Sequence, residues 1–189
     1  MSGRHDHCRR HPHLPKVLLF FTVITMTGSG HLTWAAELIL VKNTPVQVYF
    51  CPRGGAIDGI VQAVAKARSE VLVQAHTLLS PAIARSLLDA RKRGVKVAVI
   101  LDKSERQEGM TPAVQLANAG VPVYLDGKHA AANDRVIVID GRTVITGSLN
   151  FTTSSEEMNG ENLLVIHSPE LAALYAENWG KHREHSEPY

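Results

Sequence analysis

Ser148 and Asn150 stand two residues apart just after an apolar run, so extended backbone would aim both to the same side. Glu161 lies immediately before another apolar run, NLLVI. A hydroxyl, a carboxamide and a carboxylate gathered at strand ends can hold a phosphate and orient a catalytic base. The plainer alternative is a polar hairpin end that satisfies its own backbone, and spacing by itself favours it.

Two other chemistries compete for attention. The chain has ten histidines, which raises zinc. His5, His7, His11, His13 and His31 all lie before residue 36, His182 and His185 sit in a polar tail, and His76, His129 and His167 are scattered. No cysteine or histidine pair in the folded part is read as having zinc-site spacing, so no metal is expected. The Gly-rich stretch PRGGAIDG precedes a helix and could touch phosphate. It lacks the Walker lysine and the dinucleotide spacing, so turn chemistry explains it better.

The elements that must position these groups alternate. Residues 46–50 read as a strand, and Ile57, Ile60, Val61 and Val64 fall at helical spacing within 57–69. EVLVQA (70–75) and VKVAVIL (95–101) read as buried strands on either side of a helix with Ser80 as N-cap, Pro81 in its first turn and Gly94 at its end. A short helix at 111–119, opened by Thr111-Pro112 and closed by Gly120, leads into the strand VPVYL (121–125). Strands at 135–139 and 143–146 flank an Asp140-Gly141 hairpin turn. A strand at 162–166 and a helix at 168–183, capped by Ser168, close the chain. Strands alternating with helices predict an α/β layered protein, and the hairpin makes its sheet mixed.

From about residue 45 to 183 the chain resembles the phospholipase D superfamily, in its small single-motif branch of bacterial Nuc-type endonucleases. The resemblance rests on VQVYFCPRGGAIDGIVQAVAKARSEVLVQAHTLLSPAIARSLLDARKRGVKVAVILDKS, DGKHAAANDRVIVIDGRTVITGSLNFT and EEMNGENLLVI. The family signature is His-x-Lys, four residues, Asp, then Gly-Ser-x-Asn. Gly147-Ser148-Leu149-Asn150 matches the last element and Asp140 the aspartate, but Arg135 stands at the lysine position and Asn133 at the histidine position. The resemblance implies a phospholipase D/nuclease α/β fold, a mixed sheet flanked by helices. It also implies a homodimer with the cleft on the two-fold axis, where each subunit supplies one motif. One histidine would attack phosphorus, the other would protonate the leaving oxygen, and no metal or other cofactor would be needed. Phosphate holding carries over to Arg135, Ser148 and Asn150, and the role of orienting the residue at position 133 carries over to Glu161. The implied ligand is nucleic acid or a phospholipid head group.

The two departures decide what to expect of the chemistry. Guanidinium binds phosphate well but is bulkier than an ammonium and planar. A carboxamide has no lone pair that is nucleophilic at neutral pH and cannot act as a general acid. A dimer using residue 133 twice would lose nucleophile and acid together, so hydrolysis is expected to be severely impaired; the alternative is a non-catalytic nucleic-acid- or phosphate-binding pseudoenzyme. Neither His129, in a loop, nor His76, after a buried strand, is expected to replace the missing imidazole.

Composition adds boundaries. The 189 residues are 44% hydrophobic and 20% charged, ordinary for a globular protein, while 5% aromatics argue against a stacking platform for single-stranded nucleic acid. Arg4, Arg9, Arg10 and Lys16 precede the apolar run VLLFFTVITM, and Thr33-Trp34-Ala35-Ala36 follows. That order predicts a signal peptide over 1–35 and one phospholipase D-like domain over 36–189, exported to the periplasm or secreted. The run is too short to span a bilayer well. Residues 1–35 carry those four basic side chains against Asp6 alone, so without them the net charge of +2 turns slightly negative. Overall charge then gives no support for nucleic-acid binding. Cys8 would leave with the signal, and Cys51, ending an apolar run, is expected to be buried and inert.

Overall fold

The computed structural model describes residues 39, 41, 43–106 and 110–189. The signal peptide expected over 1–35 lies outside the described residues. Leu38–Tyr189 forms a compact unit. Its elements run β1 (Val46–Phe50), α1 (Ala56–Ala65), β2 (Glu70–Ala75), α2 (Pro81–Lys92), β3 (Lys96–Asp102), α3 (Pro112–Asn118), β4 (Val123–Asp126), β5 (Arg135–Ile139), β6 (Thr143–Gly147), α4 (Thr153–Met158), β7 (Asn162–Ile166), α5 (Pro169–His185) and β8 (Glu187–Pro188).

The strands make one sheet in the order β1-β7-β6-β5-β2-β3-β4-β8. β2, β3 and β4 are parallel, joined through α2 and α3, and the other pairings are antiparallel. This is the expected mixed sheet flanked by helices. Because side chains alternate along each strand, the sheet supports two apolar layers. One buries Ile60, Val64, Val73, Ile83, Leu87, Leu101, Leu116, Ile137 and Ile145 beneath α1, α2 and α3. The other is smaller: Leu72, Val136, Val138 and Val144 pack against Ala172, Leu171, Tyr175, Ala176 and Trp179 of α5. Trp179 Nε1 donates to the Val73 carbonyl at 2.9 Å, which pins α5 to the sheet. Among the described residues no helix is long and apolar enough to cross a membrane.

Local signals explain most boundaries. Ser80, Thr111 and Ser168 each accept a bond from the backbone N–H three residues on, and each precedes a proline in the first turn. Asp140 and Gly141 have φ of 53° and 59°, both left-handed, as a two-residue hairpin turn of this twist demands. α1 ends at Ala65 rather than near Ser69. The backbone N–H groups of Arg68, Ser69 and Glu70 turn instead to the Asp140 carboxylate. α5 runs to His185, beyond the expected end at 183. α4 lacks an apolar stripe, so no periodicity foretold it, yet Glu156 on it caps α1 by accepting from Ile57 N at 3.2 Å. Cys51 is buried, as expected, and burial foremost, with Glu156 nearby, pushes its thiol pKa up.

Candidate phosphate site and a histidine cluster

The antiparallel register brings the motif residues to one end of the sheet. Val136 pairs with Thr146 and Gly147 with Leu163, so the start of β5, the end of β6 and the start of β7 lie side by side. Gly147 makes this approach possible: a Cβ there would sit 2.2 Å from the Asn162 carbonyl oxygen and 2.9 Å from Leu163 Cα. The following residue is thereby pressed against β7. Ser148 Oγ donates to Glu161 Oε2 at 2.5 Å and accepts from the Asn162 backbone N–H at 3.0 Å. Glu161 Oε1 accepts from Asn159 Nδ2 at 3.2 Å. Arg135 Nε donates to Asn150 Oδ1 at 2.7 Å, and its Nη1 donates to the Asn133 carbonyl at 2.8 Å. Asn133 itself is exposed.

Arg135, Asn150 and Asn133 are therefore linked, as are Ser148 and Glu161. Glu161 is engaged by Ser148 and Asn159. Asp140 is not brought to this group: it lies at the other end of β5, where it accepts from Arg68 N, Ser69 N, Ser69 Oγ and Glu70 N at 2.8–3.0 Å. Burial raises its pKa, but these backbone and hydroxyl donors outweigh burial and hold the carboxylate below its usual range. In this structure Asp140 staples the α1–β2 turn to the hairpin.

Asp102 is a positioning residue that spacing did not reveal. It is buried at the end of β3, where its Oδ2 accepts from Ala132 N at 2.7 Å and its Oδ1 from Ser104 N at 2.9 Å. The first bond fixes the backbone immediately before Asn133. Burial raises the Asp102 pKa, but the bonds from Ser104 and Ala132 and the nearby His76 bring it net below normal. His76 N donates to the Asp134 carbonyl at 2.9 Å, while His76 Nδ1 is buried without a hydrogen-bond partner among the described residues. Gln74 Nε2 holds the Asp134 side chain at 2.9 Å.

The fold brings His129, expected to be scattered, together with His182 and His185, expected in a polar tail. β4 ends at Asp126, whose fully buried carboxylate is met by His129 Nδ1 at 2.9 Å, His182 Nδ1 at 2.7 Å and His185 Nε2 at 3.3 Å. His182 and His185 are one turn apart on α5, so its extension to residue 185 brings both rings to the same carboxylate. Burial works against Asp126 ionisation, but His182, His129, His185 and the Lys128 N–H together hold its pKa far below the normal range. A groove lined by Lys103, Arg106, Lys128 and His185 borders this cluster. The spacing signal that could have found it is Asp-x-x-His in a loop answered by His-x-x-His on a helix.

A mixed sheet with helices on both faces thus carries a Gly-Ser-x-Asn element that meets a basic side chain at the strand ends. Residues 60–182 match the family described as "Cardiolipin synthase, PLD-like domain". The chain belongs to the phospholipase D superfamily. It is 37% identical over 139 residues to a phospholipase D of Rickettsia prowazekii, covering 74% of this chain and 68% of the relative. It is 28% identical over 148 residues to a mitochondrial cardiolipin hydrolase of Xenopus laevis, covering 77% and 70%. The crystal structure of Nuc, a phospholipase D family member from Salmonella typhimurium, superposes with a TM-score of 0.72 at 32% identity, covering 78% of this chain and 99% of Nuc.

Proposed function

We propose that this chain is a phospholipase D-type phosphodiesterase in which binding of a phosphodiester outlives an impaired hydrolytic step. The ligand is a phosphodiester of nucleic acid or of a phospholipid head group. One observation carries the reading: Arg135, tethered to Asn150 and to the residue 133 carbonyl, keeps a full positive charge at the strand ends, while residue 133 presents an exposed carboxamide. The guanidinium still has N–H groups to offer a phosphate oxygen. Asn133 offers neither a nucleophile nor a proton, and Glu161, which would orient an imidazole, is bonded to Ser148 and Asn159. No metal acts at phosphorus in this reading.

A homodimer with the cleft on its two-fold axis belongs to the same reading. Val46, Val48 and Phe50 of the edge strand β1 are exposed, and Phe50 is paired with Asn162, which donates to Ser148. An apolar strip thus borders the site, which supports a second copy completing it. Export to the periplasm or the medium, with cleavage before Ala36, is supported by the basic start and apolar run of the first 26 residues.

A pseudoenzyme that binds nucleic acid or phosphate without turnover is the second reading, favoured by the basic groove of Lys103, Arg106 and Lys128 at this end of the sheet. Hydrolysis of bis(p-nitrophenyl) phosphate by the purified chain separates the two. Slow turnover abolished by Arg135→Ala supports the impaired enzyme. No turnover, with salt-dependent DNA binding retained, supports the binder.

A further inference from the structure

We propose that Asp126, His129, His182 and His185 form a binding site for zinc or a closely similar divalent transition ion. It joins the last turn of α5 to the β4–β5 loop. Four candidate ligand atoms, one carboxylate oxygen and three imidazole nitrogens, all lie within 4.8 Å of one another. Zinc bonds imidazole nitrogen and carboxylate oxygen at about 2.0–2.2 Å and prefers four ligands in a tetrahedron, whose edge is then about 3.4 Å. His182 Nδ1 and His129 Nδ1 lie 2.7 and 2.9 Å from Asp126 Oδ2, and His185 Nε2 lies 3.3 Å from Oδ1 of the same carboxylate, so each nitrogen stands near that edge length from one of the two oxygens. Small ring rotations complete the geometry, and His129, 44% exposed, is free to make one.

The cluster is poorly explained as a hydrogen-bond network alone. His185 Nε2 is buried and makes no hydrogen bond among the described residues, although it stands 3.3 Å from Asp126 Oδ1. Ring centroids lie 4.9, 5.3 and 5.4 Å apart, so the three imidazoles stand close enough together to share one ion. An ion among the rings uses the orphaned nitrogen. Three nitrogens and one oxygen suit zinc rather than the all-oxygen preference of calcium or magnesium.

Four protein ligands close the coordination sphere, which makes this a structural site. It would hold the loop that runs from His129 to Ala132, where Asp102 takes over, and on to Asn133. Lys103 Nζ, donating to the His129 carbonyl at 2.9 Å, fixes the same loop from the turn just after β3. The site is independent of whether residue 133 supports hydrolysis.

The test is metal binding by the full chain. Cobalt added to the metal-stripped protein should give the intense visible bands of tetrahedral coordination, and zinc should abolish them. X-ray absorption of the zinc form should show nitrogen and oxygen neighbours at about 2.0–2.1 Å, imidazoles among them. Because His5, His7, His11 and His13 can themselves take metal, the deciding comparison is with His129→Gln and His185→Gln. Each should weaken zinc binding at least about 100-fold, more than loss of an outer partner costs, and should remove the rise in Tm that zinc gives the parent. Circular dichroism verifies that the variants fold. An octahedral cobalt spectrum, or zinc affinity and Tm unchanged in both folded variants, overturns the proposal. If the variants fail to fold, X-ray absorption of the parent decides: no imidazole at bonding distance overturns it.

Discussion

Arg135 Nε and Asn150 Oδ1, 2.7 Å apart, join the first residue of β5 to the loop beyond β6. This bond and the one from Nη1 to the Asn133 carbonyl use two of the five guanidinium N–H groups, leaving the other three and the amide N–H groups of Asn150 for an anion. Arg135→Ala should therefore weaken phosphate or sulfate binding about tenfold or more, the scale of one charge-assisted hydrogen bond. Calorimetric titration at low salt checks it; equal affinity in parent and variant would remove Arg135 from the site.

Asn133→His should raise bis(p-nitrophenyl) phosphate hydrolysis by orders of magnitude, because one substitution supplies nucleophile and acid to both halves of a dimer. Adding Arg135→Lys should increase the gain by relieving bulk beside the new ring. The restored activity should follow a bell-shaped pH profile, since one imidazole must be neutral and the other protonated. A folded, dimeric double variant that hydrolyses nothing would place the defect outside this motif.

Gly147→Ala should disturb Ser148 without removing any hydrogen-bonding side chain. The new methyl would meet the Asn162 carbonyl at 2.2 Å, so β6 and β7 must part at that end. Overpacking of this kind costs about 1–3 kcal/mol, and the Ser148–Glu161 bond should be lost with it. Urea unfolding and anion titration of the variant read the two effects.

Asp140 and Asp102 should make stability acid-sensitive. Both carboxylates have folded-state pKa values below normal. Their contribution is therefore complete above the unfolded value of about 3.9 and is lost as pH falls through the folded values. Asp140→Asn should cost about 1–3 kcal/mol at neutral pH, because a carboxamide cannot accept from Arg68, Ser69 and Glu70 together. It should also flatten the acid limb of the stability curve. Denaturant titrations at several pH values check both.

Phe50→Asp should convert the proposed homodimer to monomer, since it places a charge in the exposed apolar strip next to Asn162. Sedimentation equilibrium measures the change. A variant that remains dimeric at the parent's concentration would move the interface elsewhere.

Local grammar wrote much of this fold into the sequence. Ser80-Pro81, Thr111-Pro112 and Ser168-Pro169 begin helices because hydroxyl capping and a fixed proline φ act within one turn. Asp140-Gly141 turns the hairpin because few residue pairs tolerate two positive φ values. Apolar runs gave the strands, and the Gly-Ser-x-Asn motif marked the end of the sheet where Arg135, Ser148 and Asn150 lie. What lay beyond reach was whatever depends on partners distant along the chain. α4 exists to cap α1 from 99 positions away, and nothing in its own periodicity says so. Asp140 reads as one of the motif residues, yet its carboxylate serves a turn some 70 residues earlier. Asp126 and His182 are 56 positions apart and meet only because α5 crosses the sheet and ends over β4. Short-range geometry is encoded residue by residue, whereas these contacts are made by the packing of whole layers.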